Sequence, residues 1–325
     1  MKYSICRFKP KSSFHLGTKE GWTEGTEKQI HSDTLFSAFC HNFLLLYGQK
    51  DLEEFLSLYQ QQPPVLFSSV FKRIDDKWLF PVPLNQFPND PDLRKISLID
   101  LESFNIAING KSIEQTLAEN KNSYFQDDWK NPKISTYTTP RVTISAFTNT
   151  VVTEGDGFYQ IGQVSFDSSV ELYFLYKLSE DFPESKFQAV MRLMADEGIG
   201  GDRSVGKGVF QYPEFDSVEI NTPENPNAFV SLSLYFPAKL PIQKIDTAFY
   251  NIISRKGYIY SPYEQNKLKK PCRMFTEASV FGNDTFDGGT LVDVTPDDFY
   301  LHKVYRYGIP LTIPCKLGKL EVENE

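Results

Sequence analysis

The stretch GIGGDRSVGKGVFQ, Gly198 to Gln211, holds five glycines in its first eleven residues, with Arg203, Ser204 and Lys207 among them. Exposed main-chain N–H groups beside cations suit phosphate oxygens. Two nucleotide motifs come close and fail. Gly201 to Lys207 reads G-x-x-x-x-G-K, but Gly208 follows where a P-loop needs the Ser or Thr that ligates magnesium. A P-loop also runs from a strand into a helix, so that phosphate meets the helix N-terminus. Here a helical pattern (Phe187, Val190, Leu193, Met194) precedes the loop and the strand-like GVFQYPEF follows it. The dinucleotide pattern G-x-G-x-x-G fails at Arg203. Gly198 is explained as a helix C-cap. Gly200, Gly201, Gly206 and Gly208 are better explained by a large ligand lying against the main chain, and the chemistry points to a phosphodiester backbone.

Acid–base chemistry has few candidates. The four histidines are His15, His31, His41 and His302. Metal-independent RNA cleavage needs a base near a 2′-hydroxyl and an acid at the leaving oxygen. His15 and His31 are the candidates, and His31, just before a helix start, is expected to be open to solvent. Asp33 and Asp202 each stand beside an expected RNA contact, but one acid per site is not a two-metal centre. Asp202 is expected to orient Arg203. Cys6, Cys40, Cys272 and Cys315 include no C-x-x-C pair, so neither a zinc site nor a disulfide framework is expected. Neither a metal nor a cofactor is expected, and the thiols read as reduced and cytosolic.

Several elements must position these groups. The apolar stripe Leu35, Phe36, Phe39, Phe43, Leu46 predicts a helix capped by Ser32 or Asp33 and ended by Gly48. DLEEFLSLYQQQ predicts a second helix, stopped at Pro63-Pro64. KWLFPVPL reads as an extended piece whose prolines suit an edge, and TKEGWTEGTEK as a mobile loop. RVTISAFTNTVV and FYQIGQVSF around EGDG predict a β-hairpin. KYSICRFK and VELYFLYKL read as strands, the latter buried. Residues 85–133 give a mixed signal, with a helix at KSIEQTLAEN. The polar, proline-containing EINTPENPNA is a linker. Strands follow in FVSLSLYFP, FYNIISRKGYIY, CRMFTEASVF, GTLVDVTP and HKVYRYGIPLTI. The pattern predicts two α+β units.

The 325 residues are 40% hydrophobic and 23% charged, which predicts a folded core. Aromatics reach 14%, and exposed ones can stack on bases. A net charge of −8 argues against indiscriminate nucleic-acid binding. Positive charge is instead clustered: Lys2, Arg7, Lys9 and Lys11, then Arg255, Lys256, Lys267, Lys269, Lys270 and Arg273 against the single acid Glu264. That separation fits one anionic ligand and other faces for protein partners. The N-terminus lacks a signal-peptide run, and no stretch approaches the roughly 20 apolar residues of a membrane helix.

HSDTLFSAFC (His31 to Cys40) and GIGGDRSVGKGVF (Gly198 to Phe210), with FHLG (Phe14 to Gly17) and PRVTIS (Pro140 to Ser145), make the chain resemble the RAMP superfamily of CRISPR proteins. Within it, the chain is similar to the Cas-five-like fourth-subunit family of type III-A Csm interference complexes. The resemblance implies an α+β fold of two ferredoxin-like, RNA-recognition-type domains. Residues 1–220 would hold the first, with a hairpin thumb at about 140–167 and the glycine loop at 198–208, and residues 228–325 the second. It implies a cytoplasmic, non-catalytic subunit that binds the 5′ repeat-derived handle of the CRISPR RNA, docks the large polymerase-nuclease subunit and the backbone subunit, and meets target RNA only indirectly. The residues implied for the handle are His15, Gly17, Ser32, Arg141, Gly198, Gly200, Gly201, Arg203, Ser204, Gly206, Lys207 and Gly208. The basic run adds Lys269, Lys270 and Arg273. Ser32 is open to two roles, phosphate ligand or plain cap. KGVFQY departs from the aromatic RNA-recognition strand, which disfavours stacking on the sheet face. Two rivals stand beside this reading: a CRISPR-RNA processing ribonuclease using His15 or His31, and a module whose glycine loop wraps a peptide. Steep salt dependence separates RNA binding from the latter.

Overall fold

The computed structural model describes residues 1–19, 22–86, 88–120, 133–145, 147–152, 157–239, 248–261, 263–264 and 267–317. In chain order the first part runs β1 (Lys2–Phe8), β2 (Gly17–Lys19), β3 (Trp22–Thr26), α1 (Ser32–Leu58), β4 (Val65–Phe67), β5 (Phe71–Ile74), β6 (Lys77–Pro81), β7 (Leu98–Asp100), α2 (Leu101–Ile108), α3 (Glu114–Glu119), β8 (Ile134–Val142), β9 (Phe158–Phe166), β10 (Val170–Leu178), α4 (Glu184–Glu197) and β11 (Glu214–Glu219). The main sheet has the order β11-β1-β10-β5-β6-β7, with β4 also beside β10, and its pairs are antiparallel. Taken as β1, α1, β4/β5, β10, α4, β11, the elements alternate β–α–β–β–α–β, with the last strand flanking the first.

Alternation along the central strands divides the interior in two. From β10, Leu172, Phe174 and Tyr176 point to one face with Cys6 and Phe8 of β1. Tyr173 and Leu175 point to the other with Ile5. The first face is covered by α1 and α4. Phe36, Phe39, Phe43 and Phe55 of α1 meet Phe187, Val190 and Met194 of α4, with Phe39 stacked on Phe187 at 5.8 Å. Gly48 breaks α1 with φ 82° and ψ 175°. A mid-helix glycine costs about 1 kcal/mol. A buried phenylalanine contributes about 1.5–3 kcal/mol, so the four of α1 hold both segments in place.

The C-terminal part adds β12 (Ala228–Ser231), β13 (Ile252–Arg255), β14 (Cys272–Phe275), β15 (Val280–Gly282), β16 (Thr290–Asp293), β17 (Tyr305–Gly308) and β18 (Thr312–Cys315). They form a β15-β12-β18 sheet and the pairs β13-β14 and β16-β17. Ala228, Val230, Val280, Ile313 and Cys315 cover the second face of the main sheet beside Phe104 and Ile108 of α2. Tyr307 crosses into the first core, where its hydroxyl accepts from the Phe67 N–H at 3.0 Å. The coil at 221–227 lies where the linker was expected. Among the described residues after it there is no α-helix, so the β–α–β–β–α–β order is not traced a second time.

Three local expectations are corrected. KWLFPVPL forms β6, an interior strand, because β7 pairs beyond it with Pro81 opposite Leu98. TKEGWTEGTEK is not a free loop: β2 and β3 pair, and the Thr23 hydroxyl donates to the Gln160 carbonyl of β9 at 2.6 Å. GVFQYPEF yields its strand only from Glu214 onward. The first arm of the hairpin lies ahead of its expected place at 141–152: β8 pairs with β9 from Ile134↔Phe166 to Val142↔Phe158, and only Arg141 and Val142 belong to both. Residues 154–156 of its expected turn lie outside the described residues.

Candidate nucleic-acid interface

The glycine loop is held chiefly by its own chain. Gly201 N–H donates to the His15 carbonyl and Gly208 N–H to the Ser13 carbonyl, each at 2.9 Å, and Ile199 N–H donates to Gly208 at 3.0 Å. Gly200 (φ +99°) and Gly208 (φ +71°) have to be glycine, since a Cβ on either would collide with the carbonyl oxygen of His15 or of Ile199. Main-chain amides are therefore largely consumed inside the fold, contrary to the expectation of a bare backbone awaiting a ligand. Only the tip, Ser204 to Gly206, is exposed.

What this packing accomplishes is placement. The loop forms one wall of a cleft of about 500 Å³ whose other walls are the 15–18 segment, the start of α1, and the basic segment 254–260 with Lys269 and Arg306. Beneath it lies a buried ionic cluster. Asp33 is 0% exposed in its side chain and accepts from Arg255 Nε at 3.0 Å, from Arg255 Nη2 at 3.1 Å and from Arg306 Nη1. Glu27 pairs with Arg255 at 3.2 Å. Burial pushes the Asp33 carboxyl up, but Arg255 and Arg306 outweigh it and hold the carboxyl well below the usual carboxylate range. The arginines of the cleft floor are thus neutralised.

Other cations at the cleft are not. Among the described residues, Arg203, Lys256 and Lys269 have no carboxylate partner. The Arg203 guanidinium lies over the Tyr260 ring at 4.6 Å, and His41 meets that ring edge-on at 4.8 Å. Burial, with repulsion from Arg306 and Arg255, lowers Lys269 to about 8, the signature of an ammonium short of an anion.

Of the residues singled out in the sequence, His15, Gly17, Gly198, Gly200, Gly201, Arg203 and Lys269 line the cleft together, although up to 254 positions separate them (15 to 269). The His15 Nδ1–H donates to the Gly162 carbonyl at 2.7 Å, fixing the ring against the hairpin. Other expectations are corrected. Ser32 is fully buried and is neither cap nor ligand: the helix is capped at His31, and the Ser32 hydroxyl accepts from Leu234 N–H at 3.0 Å. His31 is 8% exposed and donates from Nδ1 to Glu277 at 2.7 Å, so it is not open to solvent. Asp202 pairs with Arg141 at 3.4 Å rather than with Arg203. Lys207 turns to the Ser13 hydroxyl at 3.0 Å, and Lys270 is drawn to Asp297 at 2.6 Å. Ser204, Gly206, Gly208 and Arg273 lie outside the cleft lining. The sequence reading missed Tyr258 and Tyr260 as site residues; the alternation R-K-G-Y-I-Y was the available signal.

The CRISPR Csm4 C-terminal domain family matches residues 224–315, starting in the coil after β11. A protein named CRISPR system Cms protein Csm4 from Methanocaldococcus jannaschii is 27% identical, with 97% of each chain aligned. One of the same name from Thermococcus onnurineus is 24% identical over 88% of this chain and 91% of its own. Over residues 224–315 the chain matches the Csm4 C-terminal domain family, and over nearly all of its length it is similar to Csm4 proteins. Solved structures share the fold. The crystal structure of a Csm3-Csm4 subcomplex in the type III-A CRISPR-Cas interference complex contains a chain with TM-score 0.61 at 23% identity, covering 96% of this chain and 99% of that one. The crystal structure of a Csm1-Csm4 cassette in complex with cA4 gives TM-score 0.62 at 19% identity, over 98% and 100%. These similarities agree with the resemblance read from the two sequence motifs.

Proposed function

We propose that this chain is a non-catalytic subunit of a type III-A CRISPR interference complex that holds the 5′ repeat-derived handle of the CRISPR RNA in the cleft. On this reading it also docks the large polymerase-nuclease subunit and the backbone subunit, as its structural relatives occur in Csm1-Csm4 and Csm3-Csm4 complexes. The N-terminal β–α–β–β–α–β sheet is read as one ferredoxin-like domain and residues 228–325 as the second, with the β8–β9 hairpin as the thumb. The observation that carries the proposal is the convergence of the glycine loop, the basic segment 254–260 and Lys269 on one cleft whose floor arginines are neutralised while Arg203, Lys256 and Lys269 are not. A polyanion supplies the missing charge. The ribonuclease rival finds no support at His31, which is buried and bound to Glu277.

The test is fluorescence anisotropy with single-stranded RNA across a salt series. The affinity is expected to fall with a log–log slope of about −0.7 per neutralised phosphate. The double variant Lys256→Ala/Lys269→Ala is expected to flatten that slope by about 1.4, two phosphates' worth. Salt-insensitive binding, or an unchanged slope in the variant, overturns the proposal.

A further inference from the structure

The cleft does not end at its basic floor. It continues into a groove of about 430 Å³ between α1, the residues Ile259, Tyr260 and Tyr263, and the segment 301–305, and both spaces share Ser37, His41, Ile259, Tyr260 and Lys269. At the junction the chain is extended: Ile259 N–H donates to the Lys267 carbonyl at 2.7 Å and Lys269 N–H to the Gly257 carbonyl at 2.9 Å. Side chains therefore alternate. Ile259 is 4% exposed, while Tyr258 and Tyr260 on the opposite side are 51% and 55% exposed. Other tyrosines are exposed too, Tyr300 and Tyr212 among them; what sets Tyr258 and Tyr260 apart is that they line the cleft beside Arg203, Lys256 and Lys269.

Resting on the RNA-holding reading above, we infer that Tyr258 and Tyr260 form a base-stacking platform, along which the RNA leaves the basic cleft. The spacing suits the task. Residues two apart on an extended chain stand about 6.6 Å apart, close to twice the roughly 3.4 Å rise of stacked bases, so one base fits between the two rings. Arg203, over Tyr260 at 4.6 Å, extends the stack and places its charge beside the backbone of the stacked nucleotide. Lys256 and Lys269 flank the platform and take phosphates. A protein partner is the weaker choice here, because the unneutralised cations sit on the rings' own border and an apolar interface would have to desolvate them.

The experiment uses the full chain and short single-stranded RNAs, each with one 2-aminopurine or one abasic position moved along the strand. Tyr258→Ala and Tyr260→Ala are each expected to weaken binding about 5- to 150-fold while leaving the salt slope unchanged, because stacking releases no counterions. Tyr258→Phe and Tyr260→Phe are expected to bind as the parent does. One 2-aminopurine position is expected to be quenched on binding, and an abasic site there to make the alanine variants no weaker than the parent. Unchanged affinity in both alanine variants, with the lysine double variant still flattening the salt slope, sinks the platform and leaves the cleft reading standing. Loss of a protein partner with RNA affinity intact makes the face a docking surface and also overturns the inference. Failure of the lysine variant as well takes the cleft reading down with it.

Discussion

Replacing Gly200 and Gly206 by alanine, one at a time, separates glycine used for self-packing from glycine at a free tip. At Gly200 the backbone sits at φ +99°, and a Cβ lies 3.3 Å from the His15 carbonyl carbon and closer still to its oxygen. Such a conformation costs a non-glycine residue on the order of 1–3 kcal/mol. The collision also drives the loop off residue 15 and breaks the Gly201 N–H bond to it (2.9 Å), worth about 0.5–1.5 kcal/mol net. The expected loss is about 2–5 kcal/mol. Gly206 is left-handed at φ 78° and ψ 23°, with nothing within 4 Å of its Cβ position. There the left-handed penalty of about 1–2 kcal/mol is partly offset by the stiffer unfolded chain, about 0.4–1 kcal/mol. Urea denaturation followed by tryptophan fluorescence measures both, read as a midpoint shift at constant m. Equal losses in the two variants, or a Gly200→Ala loss below about 0.5 kcal/mol, would refute the reasoning that the loop's glycines are there for close approach to residues 13–15.

Other consequences are as direct. Asp33→Ala leaves the Arg255 and Arg306 guanidiniums buried without their carboxylate and is expected to cost about 3–5 kcal/mol in the same denaturation assay; a loss under about 1 kcal/mol would mean that the cluster is solvated. His31 is buried, which by itself lowers its pKa, yet the Glu277 charge and hydrogen bond outweigh burial and raise it. Its stabilisation is therefore complete below the unfolded value of about 6.5 and lost as pH rises through the higher folded value. A stability profile that declines on that alkaline side in the parent, and not in His31→Gln, checks the sign.

Reading the sequence recovered what local pattern encodes and stopped where contacts are distant. The stripe of α1, the buried run of β10 and the second arm of the hairpin, β9, follow from periodicity and stand where they were expected, while the first arm, β8, lies mostly ahead of its expected place. Ser32 could not be resolved this way. A hydroxyl at a helix start looks identical whether it caps the helix or anchors Leu234, 202 residues away. Asp33 likewise reads as an N-terminal acid until Arg255, 222 residues on, arrives beside it. Glycines carry the same ambiguity: absent side chains accommodate a ligand or the protein's own carbonyls equally, and the chain around Gly200 chose the latter. The tyrosines were passed over because Tyr258 and Tyr260 flank an ordinary strand core residue.

The sheet strands Ala228–Ser231 and Thr312–Cys315 roof the far side of the main sheet, while Tyr307 from the same part reaches the near side. Expressed without the rest, residues 224–315 would present Val230, Val280 and Ile313 to water, so the two parts of the chain are expected to melt together. A lesion in either half is thereby felt at the cleft between them.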